Sequence, residues 1–113
     1  MVIFKILPHE LWSKADAGGV FHGASIDLQD GFIHLSAPHQ VRETAKKHFA
    51  GQTDLVLAAF EADKFGAALK WEISRGGGRF PHLYAPLVTA SALWVKPLPL
   101  GTDGAHNFAG LLT

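Results

Sequence analysis

Three short stretches carry the side chains able to move a proton or grip a polar ligand: Asp30-Gly31-Phe32-Ile33-His34-Leu35-Ser36, Leu69-Lys70-Trp71-Glu72-Ile73-Ser74 and Phe80-Pro81-His82-Leu83-Tyr84. Each has the two-residue period of a strand, which sends alternate side chains to opposite faces. On that spacing Phe32, His34 and Ser36 share one face, as do Lys70, Glu72 and Ser74, and His82 with Tyr84. If the strands are neighbours, His34, Glu72, His82 and Tyr84 form one wall. An imidazole pair suited to acid–base exchange near neutral pH, a carboxylate and a phenol together bind and polarise a small ligand.

Each of these residues also has a plainer use. A sheet with one wet face puts Glu72 and Lys70 in water by the same alternation. His34 sits among Phe32, Ile33 and Leu35, surroundings that suit an acid–base group or a buried histidine bonded to a carbonyl. The Ser36 hydroxyl either meets a ligand or caps the helix that follows, and the cap is the commoner use. Pro81 and Pro86 hold the backbone around His82 and Tyr84 extended, which fits a pocket wall or a protected edge strand. Arg75 and Arg79 flank Gly76-Gly77-Gly78, either a lid over an anionic ligand or an ordinary surface hairpin.

Other chemistries are excluded by what the chain lacks. With no cysteine there is no disulfide, thiolate metal site or thiol nucleophile. There is no Gly-x-Ser-x-Gly elbow, no phosphate-cradling Gly-x-x-x-x-Gly-Lys-Ser loop and no dinucleotide fingerprint. Seven histidines raise metal binding, but His9-Glu10 is followed by Ser13 rather than a second ligand, and His39 and His48 fall on different sides of a helix. A metal would need a long-range assembly of His34, His82 and Glu72. Ten basic and ten acidic residues cancel and form no stripe, which disfavours general nucleic-acid binding while leaving room for one nucleotide-sized ligand. No apolar run approaches the roughly 18 residues of a membrane span, and the N-terminal run breaks at Pro8 unlike a secretory signal. A soluble cytoplasmic protein is expected.

The elements that must position the three stretches follow from periodicity. Val2 to Leu7 reads as a strand, and Pro8 opens a helix through about Ala17 with Leu11, Trp12 and Ala15 on one face. Val20 to Asp30 reads as irregular. Val41, Ala45 and Phe49 predict a helix over Ala37 to Ala50, capped by Ser36 and ended by Gly51. Leu55 to Phe60 is an apolar run of the kind a strand shows when both its faces are covered. Val88 to Val95 is the last β candidate, and beyond Pro97 the chain reads as an irregular tail. With 113 residues, residues 1–97 form one α+β domain, two main helices on a mostly antiparallel sheet of five or six strands, followed by the tail 98–113.

The three motifs, in this order and spacing, resemble the signature of a bacterial family known as domain of unknown function 952, from the first strand to about Pro97. A second resemblance is to the ADP-ribosyltransferase superfamily, especially the RNA 2′-phosphotransferases. It rests on His34-Leu35-Ser36 ahead of the Val41 to Phe49 helix, the apolar strand Leu55 to Phe60 and the acidic turn Glu61-Ala62-Asp63. That resemblance implies a split antiparallel sheet with an NAD-shaped cleft and cleavage or transfer at the anomeric carbon of a nicotinamide ribose. Glu72 would then orient ribose hydroxyls and stabilise developing positive charge, His34 and Tyr84 would grip base or diphosphate, and His82 would serve as acid or base. The match departs at the first strand, where such transferases place a His or Arg to hold the cofactor and this chain offers Lys5. Three functions follow as expectations: a transferase or hydrolase using NAD or ADP-ribose, a non-catalytic nucleotide-binding module, or a His/Glu metal-dependent enzyme. The first two need no metal, and a monomer or homodimer is expected.

Overall fold

The computed structural model describes residues 1–112, apart from the side chain of Arg75. In chain order its elements are β1 (Val2–Pro8), α1 (His9–Gly18), β2 (Val20–Phe21), α2 (Ser25–Asp30), β3 (Ile33–His34), α3 (Val41–His48), β4 (Leu55–Glu61), β5 (Leu69–Ile73), β6 (Arg79–Leu83), β7 (Leu87–Val88) and β8 (Trp94–Leu98). Short 3-10 turns fill Ala62–Ala68, Arg75–Gly77 and Thr89–Ser91. The domain is α+β, and its strands pair antiparallel in three small sheets ordered β1-β4-β8, β2-β7 and β3-β6-β5. The expected split of the antiparallel sheet is present, and the expectation of five or six strands is corrected to eight among the described residues.

β4 lies between β1 and β8, and six of its seven residues are buried because both of its faces are apolar. Val56, Ala58 and Phe60 enter one core with Ile3, Leu7 and Trp12, while Leu55, Leu57 and Ala59 enter a second with Phe4, Val41 and Ala45. The first core is closed by the inner face of the β3-β6-β5 sheet through Ile33 and Leu83. The second is closed by α3 and by the C-terminal segment, whose Phe108 is buried. Among the described residues no helix is long and apolar enough to cross a membrane.

Three local expectations are corrected. Ser25–Asp30 is helical rather than irregular: the Asp27 carboxylate accepts the Ala24 backbone N–H at 2.8 Å, and Gly31 closes the turn with φ +85°. α3 starts at Val41 rather than Ala37, after a turn in which the Gln40 side chain accepts the Ala37 N–H at 2.9 Å. Ser36 is therefore no helix cap. Its N–H and C=O pair with Phe4 at 2.9 and 2.8 Å, and its hydroxyl meets Thr44 Oγ1 at 2.8 Å. Finally, the Val88 to Val95 run splits into β7, a turn and β8.

Candidate functional site

Register brings the three motifs together. His34 and Lys70 both lie opposite His82, and Glu72 lies opposite Phe80, so β6 sits between β3 and β5. Leu69 and Trp71 join Ile33 and Leu83 on the core side. Lys70, Glu72, His34 and His82 take the outward side, and Phe32 and Tyr84 extend it, as their contacts show. Phe32 stacks on His82 with centroids 4.1 Å apart and planes at 28°, and its ring lies 4.5 Å from His34 and 5.2 Å from Tyr84. His34 meets His82 edge-on at 5.4 Å. The four residues singled out as one wall thus share one surface.

One carboxylate oxygen organises the outer half of that surface. Glu72 Oε1 accepts the Tyr84 hydroxyl at 2.6 Å and lies 3.0 Å from His82 Nδ1. The Tyr84 bond, then the His82 bond, hold the Glu72 carboxyl below its usual value, and the same Glu72 contact pushes the Tyr84 phenol up. Glu72 is therefore an ionised acceptor at neutral pH, so in a neutral His82 ring the proton sits on Nδ1 and the lone pair on Nε2. That Nε2 is buried and has no hydrogen-bond partner among the described residues. Lys70 lies 5.1 Å over the Tyr84 ring, adding a cation beside the carboxylate.

The inner half is anchored by Asp27, whose side chain has no exposure. Its two oxygens accept the Lys5 ammonium at 3.0 and 3.1 Å, the Ala24 N–H at 2.8 Å and the His34 N–H at 3.0 Å, and Oδ1 lies 2.7 Å from His34 Nδ1. Burial alone would raise the Asp27 carboxyl. The His34 imidazole, the Lys5 charge and the two backbone N–H groups outweigh it and hold the group far below its ordinary 3.8. Burial lowers the Lys5 ammonium, with Asp27 opposing. His34 Nε2 meets Asp30 Oδ2 at 3.0 Å, so both of its ring nitrogens face carboxylates.

The remaining candidate residues fall elsewhere. Lys5 is buried with its three ammonium protons committed to Asp27 and the His34 carbonyl, leaving none for a ligand. Ser36 is buried against Thr44, off the wall. Arg79 alternates to the opposite side of β6 from His82, and its guanidinium meets the Trp71 carbonyl at 3.4 Å. The side chain of Arg75 lies outside the described residues. His34, His82 and Glu72 do not converge as metal ligands, and among the described residues no group of three or more His, Asp or Glu side chains is arranged to hold a metal ion.

The residues that sequence reasoning missed are Asp27, Asp30 and Phe32. Phe32 was legible as a fourth ring beside His34, His82 and Tyr84, since it shares the period of His34. Nothing local links Asp27 to Lys5, 22 positions away. Beside the wall lies a cleft of about 260 Å³ whose lining includes His22, Leu28, Phe32, Tyr84 and Pro86. Of the four wall residues, Tyr84 alone is part of that lining.

Together, fold and face define a small α+β domain carrying a hydrogen-bonded Glu–His–Tyr set on the outward side of its outer sheet. The chain belongs to the family described as "Protein of unknown function (DUF952)", whose model matches residues 6–95. It is similar to protein CC0527 from Caulobacter crescentus, whose X-ray crystal structure is 50% identical, covers 99% of this chain and 98% of that one, and superimposes with a TM-score of 0.95. The solution NMR structure of CC0527 gives 51% identity, 96% and 93% coverage and a TM-score of 0.87. No curated protein matches the chain.

Proposed function

We propose that the Glu72–His82–Tyr84 face is a nucleotide site at which the chain acts as a transferase or hydrolase on the nicotinamide ribose of an NAD-like substrate. The observation that carries this reading is the single Glu72 oxygen bonded to both His82 and Tyr84. It leaves an ionised carboxylate, half open to solvent, beside aromatic rings on which a planar base can stack. Breaking the bond between the anomeric carbon and nicotinamide builds positive charge on the ribose ring, which a fixed carboxylate stabilises. The oxygen of water or of an acceptor hydroxyl bonds to that carbon while nicotinamide leaves with the electron pair of the broken bond. The proton released by the attacking oxygen goes to His82 Nε2. The reading sets the protein in the cytoplasm, where NAD is at hand.

A second reading, a nucleotide-binding module without turnover, is favoured by the burial of His82 Nε2, which no substrate proton reaches in this conformation. Titration calorimetry with NAD and ADP-ribose, paired with a nicotinamide-release assay, separates the two. The enzyme reading expects heat and release, with release lost in Glu72→Gln while the fold persists. Heat without release leaves the binding module, and no heat at millimolar ligand removes both.

A further inference from the structure

His82 presents a contradiction that the resting conformation does not resolve. The residue is 4% exposed, and its Nε2 is sealed from solvent without a partner among the described residues. An unpaired buried polar atom is a standing cost to the fold, so a conformation that hydrates or pairs Nε2 recovers part of it. The ring stacked face-on against His82 is Phe32, with His34 meeting it edge-on. Phe32 is tied to α2 by a long bond, from its N–H to the Asp27 carbonyl at 3.3 Å. It follows Gly31, whose φ of +85° ends α2, and precedes Ile33, the first residue paired in β3. Phe32 further lines the adjoining cleft of about 260 Å³ together with Leu28, Tyr84 and Pro86. That is room enough for a benzyl group, since a cavity of about 150 Å³ holds benzene.

We infer that Phe32 is a displaceable cover: its ring swings into the neighbouring cleft, uncovering His82 Nε2 to accept a hydrogen bond from a ligand hydroxyl. The inference rests on reading this face as a site but not on the ligand being NAD. It narrows the ligand class to molecules offering a hydroxyl donor beside a planar group that takes the place of Phe32 over the imidazole. In the closed state Glu72 holds the ring with Nε2 as the acceptor, so opening requires no change of tautomer. Phe32 is thus a positioning residue, acting on the reaction through access to His82.

The test is residue-resolved carbethoxylation of the histidines by diethyl pyrocarbonate, read by mass spectrometry. In the wild type His82 should react slowly beside exposed His39. Phe32→Ala should raise the His82 rate about tenfold or more, the factor equivalent to about 1.4 kcal/mol of closure, and leave the His39 rate unchanged. Phe32→Leu should fall between. A His82 rate that matches His39 in the wild type, or that does not change in Phe32→Ala, overturns the cover. Should either variant unfold, all seven histidines will react alike. The wild type then decides: microsecond-to-millisecond relaxation dispersion at the Phe32 ring supports the cover, and its absence overturns it. Calorimetry with NAD fails independently of this result, because Nε2 can be uncovered whether or not that ligand binds.

Discussion

Asp27 shapes the site without touching solvent. Its carboxylate ties Lys5 of the first strand, the start of α2 and both the backbone and ring of His34. Asp27→Asn leaves the Lys5 charge buried without its counter-ion and should cost about 3–5 kcal/mol, measured by urea unfolding. Lys5→Met should cost less, because Asp27 keeps two backbone N–H groups and the His34 ring. The pH dependence has a definite sign. The Asp27 pKa is depressed in the fold, so its contribution is complete above the ordinary 3.8 and is lost as pH falls from there towards the folded value. Unfolding curves taken from about pH 6 down to about pH 2 should show this acid-side loss in the wild type and less of it in Asp27→Asn.

At the scale of elements, the Gly31 corner joins the helix that supplies Asp27 to the strand that supplies His34. Its φ of +85° is a left-handed conformation, and no neighbouring atom lies where a Cβ would stand. Gly31→Ala should therefore cost only the backbone strain of a non-glycine residue there, about 1–2 kcal/mol, as a fall in denaturation midpoint. The sequence revealed elements where one signal dominated. Leu55 to Phe60 is apolar at every position, so a buried central strand was readable, and the alternation around Glu72 and His82 gave the outward face. It hid α2, because that helix spans six residues with Ile26 and Leu28 exposed and no apolar stripe, held instead by the Asp27 side chain. It misplaced the start of α3, because Ser36 looked like a cap while its backbone was pairing with Phe4. Lys5 was unreadable for a similar reason: its partner comes from an element with no periodic signature.

Across the whole molecule the β1-β4-β8 sheet separates two cores, and the candidate site belongs to only one side. Phe108 closes the other side, packing with Val41, Ala45 and Leu98, and is 6% exposed. Phe108→Ala should lower stability by about 3–5 kcal/mol, seen in thermal unfolding, while the side-chain NMR signals of His82 and Tyr84 keep their native shifts. A change in those signals would show that the two cores communicate through β4.

The pairing of Ser36 with Phe4 carries a last consequence. The stretch from Ile33 to Ser36 pairs with β6 at Ile33, is tied to the Asp27 carboxylate through the His34 N–H, and is hydrogen-bonded to the Pro81 carbonyl at Leu35 and to β1 at Ser36. The amides of Leu35 and Ser36 are held by β6 and β1, so their exchange with solvent requires strands far apart in the sequence to separate. The Gly31–Phe32 corner just before it is tied to α2 instead, its two N–H groups reaching the Asp27 carbonyl at 2.8 and 3.3 Å. The chain thus sets backbone clamped by two distant strands directly beside a corner held only by local bonds within five residues.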